Sequence, residues 1–232
     1  MTTMPTNASC ENCEYRSGCF DTLSVEELLS VTESKLIINY KKGETIRKQG
    51  SFIRGVLYLK TGVTKVYREI EKIDQNSIVA FNIPGQMIGL ASLFTDKIAQ
   101  YTVVAMTDCT VCCIEMGVIK ESLHSNGNFA EKVVRSINEQ NKLLMDFLIS
   151  NNHKQLHGRL AGAILFLKEQ VFQSDSFDIA FTRRELAEYT NMSTMSVVRI
   201  LKSFKEDKIL KDNHGVITIL DVEKLESVSR NG

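Results

Sequence analysis

The chain has 232 residues, of which 43% are apolar and 24% charged, and its 28 basic side chains balance 28 acidic ones. That length is comfortable for two domains, and the proportions exclude an intrinsically disordered polymer. No apolar run approaches the roughly 18 residues needed to cross a bilayer, and the first residues lack a basic and apolar leader, so a cytosolic protein with no membrane partner is expected.

Residues Met1 to Phe20 are small and polar without periodicity, and read as an irregular segment in need of a tie. They carry Cys10, Cys13 and Cys19, and a second thiol cluster follows at Cys109, Cys112 and Cys113. Structural disulfides are not expected in a reducing compartment, so clustered thiols point to metal or redox chemistry. Ser24 followed by Glu27 is the capping-box spacing and predicts a short helix over 23–34. From Leu36 to about Met116 the apolar segments are short, β-branched and separated by Gly43, Gly50, Gly62 and Gly85. Such spacing predicts one antiparallel all-β domain.

A long helix comes next. Val134, Ile137, Asn141, Leu144 and Leu148 recur at alternating steps of three and four, with Val133, Leu143 and Phe147 widening the stripe. The pattern predicts a seam against a second copy of the chain, with Asn141 fixing its register. The competing reading is a helix buried on its own β-domain. A further amphipathic helix is predicted over Arg159 to Val171, ended by the polar stretch Gln173 to Asp178.

Between Phe181 and Leu220 the signals agree with one another. Thr182 and Glu185 form a second capping box before Arg183 to Thr190. Asn191 suits a left-handed turn, and Ser193 caps a helix from Thr194 to about Glu206 with Val197, Ile200, Leu201 and Phe204 on its apolar face. Gly215 and Val216 to Ile219 supply a hairpin. Helix, tight turn, helix and hairpin predict a winged helix-turn-helix. From Phe181 to Lys211, seven basic residues face four acidic ones, a modest excess suited to double-stranded DNA. On the first turns of the second helix Thr194, Met195, Ser196 and Arg199 would meet base edges, with Arg199 best able to read guanine. Arg183, Ser193, Lys202 and Lys205 suit phosphate.

These features, with Lys42-Gly43-Glu44, Gln49-Gly50, Leu59 to Val63, Pro84 to Gly89 and Val198 to Lys202, resemble the CRP/FNR family of bacterial transcription regulators. The resemblance implies an α+β chain: a segment 1–22 bearing the cysteines, a double-stranded β-roll sensor like a cyclic-nucleotide-binding domain over 23–126, a dimerisation helix over 127–153 and a winged helix-turn-helix over 154–232. It also implies a homodimer, RNA polymerase as a partner, and a DNA-reading domain that reorients when the sensor is occupied. Met195 stands where the best-known members carry a glutamate, so a different operator is expected.

Two sensing chemistries of that family can be compared with the residues. Cyclic AMP needs a glutamate and an Arg-Ser pair where this chain has Leu90, Gln100 and Tyr101, so no cation would meet the phosphate, and cyclic AMP is not expected. The second is the FNR type, whose N-terminal thiol spacing Cys10-x2-Cys13-x5-Cys19 resembles. By that resemblance Cys10, Cys13, Cys19 and Cys112 would hold a [4Fe–4S] cluster, with zinc as the alternative for four thiolates. Haem or another small ligand in the β-roll remains open, as does the plain reading of the second cysteine cluster as small apolar strand residues. An iron–sulfur redox protein without DNA binding is the competing class. The histidines show no ligand spacing, and no nucleophile–base pair or phosphate loop suggests an enzyme.

Overall fold

The local signals at residues 24–34 and 182–206 become helices in the computed structural model. It describes residues 2–3, 9–16, 18–70, 76–95, 97–178, 182–213 and 216–232. Phe181 and the expected hairpin residue Gly215 lie outside that set. Contacts divide the chain into two units, Met1–Glu69 with Ala80–Lys142, and Ile70–Val79 with Leu143–Gly232.

In the first unit, strand β1 (Thr2–Thr3) is followed by a 3₁₀ turn at Gly18–Thr22 and by helix α1 (Val25–Ser34). Ser24 Oγ accepts from Glu27 N, and Glu27 Oε2 accepts from Ser24 N at 2.8 Å, so both halves of the capping box form. Glu27 also accepts from Asn126 Nδ2 at 2.9 Å, which ties the start of α1 to the junction after helix α2 (Met116–Ser125). Two antiparallel sheets make the β-roll. One has the order β1-β2-β9-β4-β7, using β2 (Lys35–Tyr40), β4 (Gly55–Thr61), β7 (Met87–Ile88) and β9 (Cys109–Glu115). The other, β3-β8-β5-β6, uses β3 (Thr45–Arg47), β5 (Thr64–Arg68), β6 (Ser77–Asn82) and β8 (Thr102–Ala105).

Strand β9 is covered on both faces, and strand alternation divides its thiols between them. Cys109 and Val111 pack with Tyr40, Leu57, Leu59 and Val103, and Cys113 packs against that group. Cys112 and Ile114 face the other way, into a core with Phe20, Val31, Tyr58 and Phe129. Adjacent cysteines therefore belong to different cores.

Helix α3 runs from Gly127 to His153. Its first turns are anchored by Phe129 and Val133, which are fully buried, whereas Val134, Ile137, Leu144 and Leu148 are exposed. Val133 thus belongs to the β-domain core and not to the exposed stripe, a correction to the wider seam expected from the sequence. Phe147 leaves the stripe as well, because its ring stacks on Tyr189.

The second unit holds α4 (Leu156–Phe166), a π-helical turn over Leu167–Phe172, α5 (Arg183–Thr190), α6 (Thr194–Glu206) and α7 (Val222–Asn231). Its small sheet has the order β10-β12-β11, from β10 (Ser176–Asp178), β11 (Leu210–Asn213) and β12 (Val216–Ile219). Leu160, Ile164, Leu167, Leu186, Ile200, Phe204 and Leu225 form its core. The expected helix over Arg159 to Val171 begins earlier and changes to π geometry. The polar stretch expected only to end it contains strand β10, and α2 and α7 were not expected.

Candidate nucleic-acid interface and thiol site

Helix α5 starts at Thr182, whose Oγ1 accepts from Glu185 N while Thr182 N donates to Glu185 Oε2 at 2.6 Å. Leu186 and Ala187 are buried, and Ala187 O accepts from Met192 N at 3.0 Å to close the turn. Asn191 takes φ 52°, the left-handed conformation that asparagine tolerates better than most residues. Ser193 Oγ then accepts from Ser196 N at 3.1 Å and starts α6.

The 3.6-residue period divides α6 cleanly. Val197, Ile200, Leu201 and Phe204 are buried, while Thr194, Met195, Val198, Arg199, Lys202 and Lys205 face outward. Met195 is 77% exposed, the most open of the large apolar side chains among the described residues. Lys202 Nζ lies 3.7 Å from Glu206, an exposed pair worth little. Arg199 and Lys205 make no hydrogen bond or ion pair among the described residues. Four uncharged or basic side chains on the first two turns, Thr194, Met195, Ser196 and Arg199, are therefore presented at the N-terminal end of a capped helix.

Arg183 is placed differently from the rest. Its guanidinium donates to the Asp212 carboxylate, which is nearly buried on β11, so this arginine joins α5 to the hairpin. Its neighbour Arg184 donates to the buried Glu188 at 3.1 Å. Neither acidic partner was singled out in the sequence, because both pairings depend on folded geometry and only the i, i+4 spacing of Arg184 and Glu188 could have signalled one of them.

The N-terminal thiols lie in the first unit. Arg16 donates to Glu11 O and to Asp21, and Tyr58 Oη donates to Tyr15 O at 2.6 Å. Cys10 N donates to Thr32 Oγ1 at 3.0 Å, and Cys13 N to Cys10 O at 3.4 Å. Ordinary hydrogen bonds, with the Phe20 ring edge-on to Tyr58, thus supply a tie that the sequence reading would have given to a cluster. Cys10, Cys13 and Cys112 line one pocket with Arg16, Lys35 and Lys60. Lys35 Nζ donates to Cys10 Sγ at 2.9 Å. Burial pushes the Cys112 thiol up to about 11, although Lys60 and Lys35 act against it. Cys19 does not line the pocket. It is packed in the core beside Phe20, and burial raises its thiol too.

A [4Fe–4S] cluster needs four thiolates turned toward a common centre. Three of the expected ligands line one pocket, and Cys19, though in the same core as Cys112, does not line it. Among the described residues no group of three or more Cys, His, Asp or Glu side chains is close enough to hold a metal ion. The donors as arranged do not fit the cluster. At the positions compared with a cyclic-nucleotide site, Leu90 is buried, Gln100 contacts Ile98 O, and Tyr101 is exposed. No helix among the described residues is long and apolar enough to cross a membrane.

Comparisons with known proteins agree with this geometry. A family model described as a cyclic nucleotide-binding domain matches residues 37–126, and one described as a Crp-like helix-turn-helix domain matches residues 158–228. The fumarate and nitrate reduction regulatory protein of Vibrio cholerae is 23% identical over 93% of this chain and 88% of its own length. The transcriptional activator protein anr of Pseudomonas aeruginosa is 22% identical over 92% of this chain and 89% of its own. Among solved structures, FixK2 from Bradyrhizobium japonicum superposes with a TM-score of 0.75 at 18% identity, covering 84% of this chain and 96% of that one. A crp/fnr-family regulator from Eubacterium rectale gives 0.76 at 18% identity, covering 94% and 100%.

Proposed function

Since the chain belongs to the CRP/FNR family of DNA-binding transcription regulators, we propose that it binds a two-fold operator as a homodimer and takes its signal at the thiol pocket of Cys10, Cys13 and Cys112. Members of this family regulate transcription and are not enzymes. The observation that carries the DNA reading is the outward face of α6, where Arg199, exposed and without a hydrogen bond or ion pair among the described residues, stands at the first turns of a helix fixed by Asn191 and Ser193. An arginine so placed can bridge guanine O6 and N7 in the major groove. Ser193, Lys202 and Lys205 would hold phosphate and set the helix's register, and Arg183 would act through the hairpin.

The exposed stripe of Val134, Ile137, Leu144 and Leu148, with Asn141 among them, supports a seam between two copies. Two such subunits would place their recognition helices on half-sites about one turn of DNA apart. RNA polymerase is the further partner that the family implies. The names of the relatives, fumarate and nitrate reduction regulatory protein and anaerobic regulatory protein, support control of anaerobic metabolism. Selection of bound sequences from a random duplex pool tests the reading. A palindromic consensus whose affinity falls steeply with salt is expected, and binding without sequence preference would overturn it.

A second reading, oxygen sensing through a [4Fe–4S] cluster on Cys10, Cys13, Cys19 and Cys112, is favoured by the thiol spacing and by three of these thiols sharing one pocket. It requires Cys19 to leave the core. Iron and sulfide analysis of protein purified without air, with Cys13→Ser and Cys19→Ser beside it, tests this. A brown protein bleached by both substitutions supports the cluster, and iron-free protein rejects it.

A further inference from the structure

The contact between Lys35 and Cys10 is closer than the contacts of the Cys109 thiol. Cys109 Sγ donates to Val63 O at 3.4 Å and to Thr107 O at 3.2 Å, ordinary spacings for a large sulfur atom. Lys35 Nζ and Cys10 Sγ are only 2.9 Å apart. Both backbones are held. Lys35 opens β2 and pairs with Ile114 on β9, while Cys10 is fixed by Thr32 Oγ1, itself bonded to Leu28 O at 2.8 Å. Amine and thiol therefore meet as a preset pair, both only partly buried and open to small oxidants.

We propose that Cys10 and Lys35 are a site of oxidative modification, at which dioxygen joins them through a single bridging oxygen, Sγ–O–Nζ. Two single bonds meeting at a bent oxygen span nearly the separation already present, so the linkage forms with little movement of either backbone. The reaction balances as follows. After the ammonium has lost a proton to solvent, the thiol gives up its hydrogen and the amine gives up one of its two. Sulfur and nitrogen each lose two electrons. One oxygen atom of dioxygen becomes the bridge, and the other leaves as water with the two hydrogens.

Thiol oxidation ordinarily proceeds to sulfenic acid and then to a disulfide or to higher acids. Cys13, one turn away, offers the disulfide route, but the amine is already in contact with the sulfur. The linkage would occupy Cys10 and withdraw its thiolate from any metal, so it belongs to a metal-free state of the pocket. It rests on the Lys35–Cys10 geometry and not on the DNA reading. Formed in the cell, it would make the junction between the N-terminal segment and β2 covalent, a reversible mark of exposure to oxygen.

The test uses the full chain, stripped of metal by a chelator under nitrogen, then exposed to air and digested with trypsin. The expected product is a pair of joined peptides containing Cys10 and Lys35, heavier by one oxygen and lighter by two hydrogens than the reduced pair. Dithiothreitol should release it. Cys10→Ser and Lys35→Arg should both abolish it, and Lys60→Arg, at another cation of the same pocket, should keep it. A Cys10–Cys13 disulfide as the sole product, a sulfinic acid at Cys10 with Lys35 free, or an unreacted pair would each overturn the proposal. The wild-type peptide map decides this even if a variant fails to fold. Operator binding is measured separately, so loss of the linkage and loss of the regulator reading are distinguishable.

Discussion

The ring of Phe147 stacks on that of Tyr189, with centroids 4.8 Å apart and planes inclined by 18°. Phe147 stands on α3 between the exposed Leu144 and Leu148, and Tyr189 is the penultimate residue of α5. Asn151, one turn further along α3, donates to Tyr189 O at 3.5 Å. The last turns of α3, around Phe147 and Asn151, are thus seated directly on α5, the first helix of the DNA-reading motif. Phe147→Ala should lower stability by about 1 kcal/mol or more, the scale of an aromatic pair and its burial. It should also weaken operator binding while dimers persist in sedimentation. Unaltered DNA affinity in a folded, dimeric variant would show that the stack does not orient the reading helix.

Arg199→Ala should cost about 1–3 kcal/mol of operator affinity and relax the base preference at one position of each half-site. Thermal stability should be almost unchanged, because the side chain is exposed and has no hydrogen bond or ion pair to lose among the described residues. Arg183→Ala should behave oppositely, with a clearer loss of stability, since it strands the nearly buried Asp212. Fluorescence anisotropy titrations and thermal melts of the two variants separate the roles.

Asn191 lies at φ 52° between α5 and α6. Asn191→Gly should be close to neutral, and Asn191→Val should destabilise by about 1–2 kcal/mol, because a β-branched side chain crowds the left-handed backbone. Urea unfolding of the two variants checks this ordering.

Burial pushes the Cys112 thiol up to about 11, against 9.0 for an ordinary thiol. Its folded value is raised, so its contribution to stability is present below pH 9 and is lost as pH climbs toward 11. Cys112→Val should flatten the fall in stability over that window. Alkylation should be slow at Cys112 and Cys19 at neutral pH and faster at the less buried Cys10 and Cys13, as peptide mapping after a brief iodoacetamide pulse would show.

What the sequence disclosed follows the range of the forces involved. The capping boxes at Ser24 and Thr182, the turn at Asn191 and the cap at Ser193 are made by side chains bonding within four residues of themselves, so their spelling suffices. The apolar face of α6 was legible by its period. Less could be read where the partner lies far along the chain. Val133 and Val134 both fall on the apolar stripe in sequence, and the core of Phe20, Tyr58 and Phe129 from separate segments is where Val133 is buried. Asp212 meets Arg183 across 29 positions, and Lys35 meets Cys10 across 25. Ser176 to Asp178 is too polar to announce a strand, and it becomes one because β12 offers an edge. Cys19 carries the expected spacing, yet the apolar residues that enclose it come from distant segments.

The two neighbouring valines of α3 also limit how that helix can turn. Val133 is 3% exposed and Val134 56%. They sit about 100° apart around the axis, as successive helical residues must. Rolling the shaft enough to exchange them would bring Phe129 and Val133 into water at about 1.5–3 kcal/mol each. Torsion of α3 about its long axis is therefore its costly movement, because Phe129 and Val133 hold the first turns in the β-domain core.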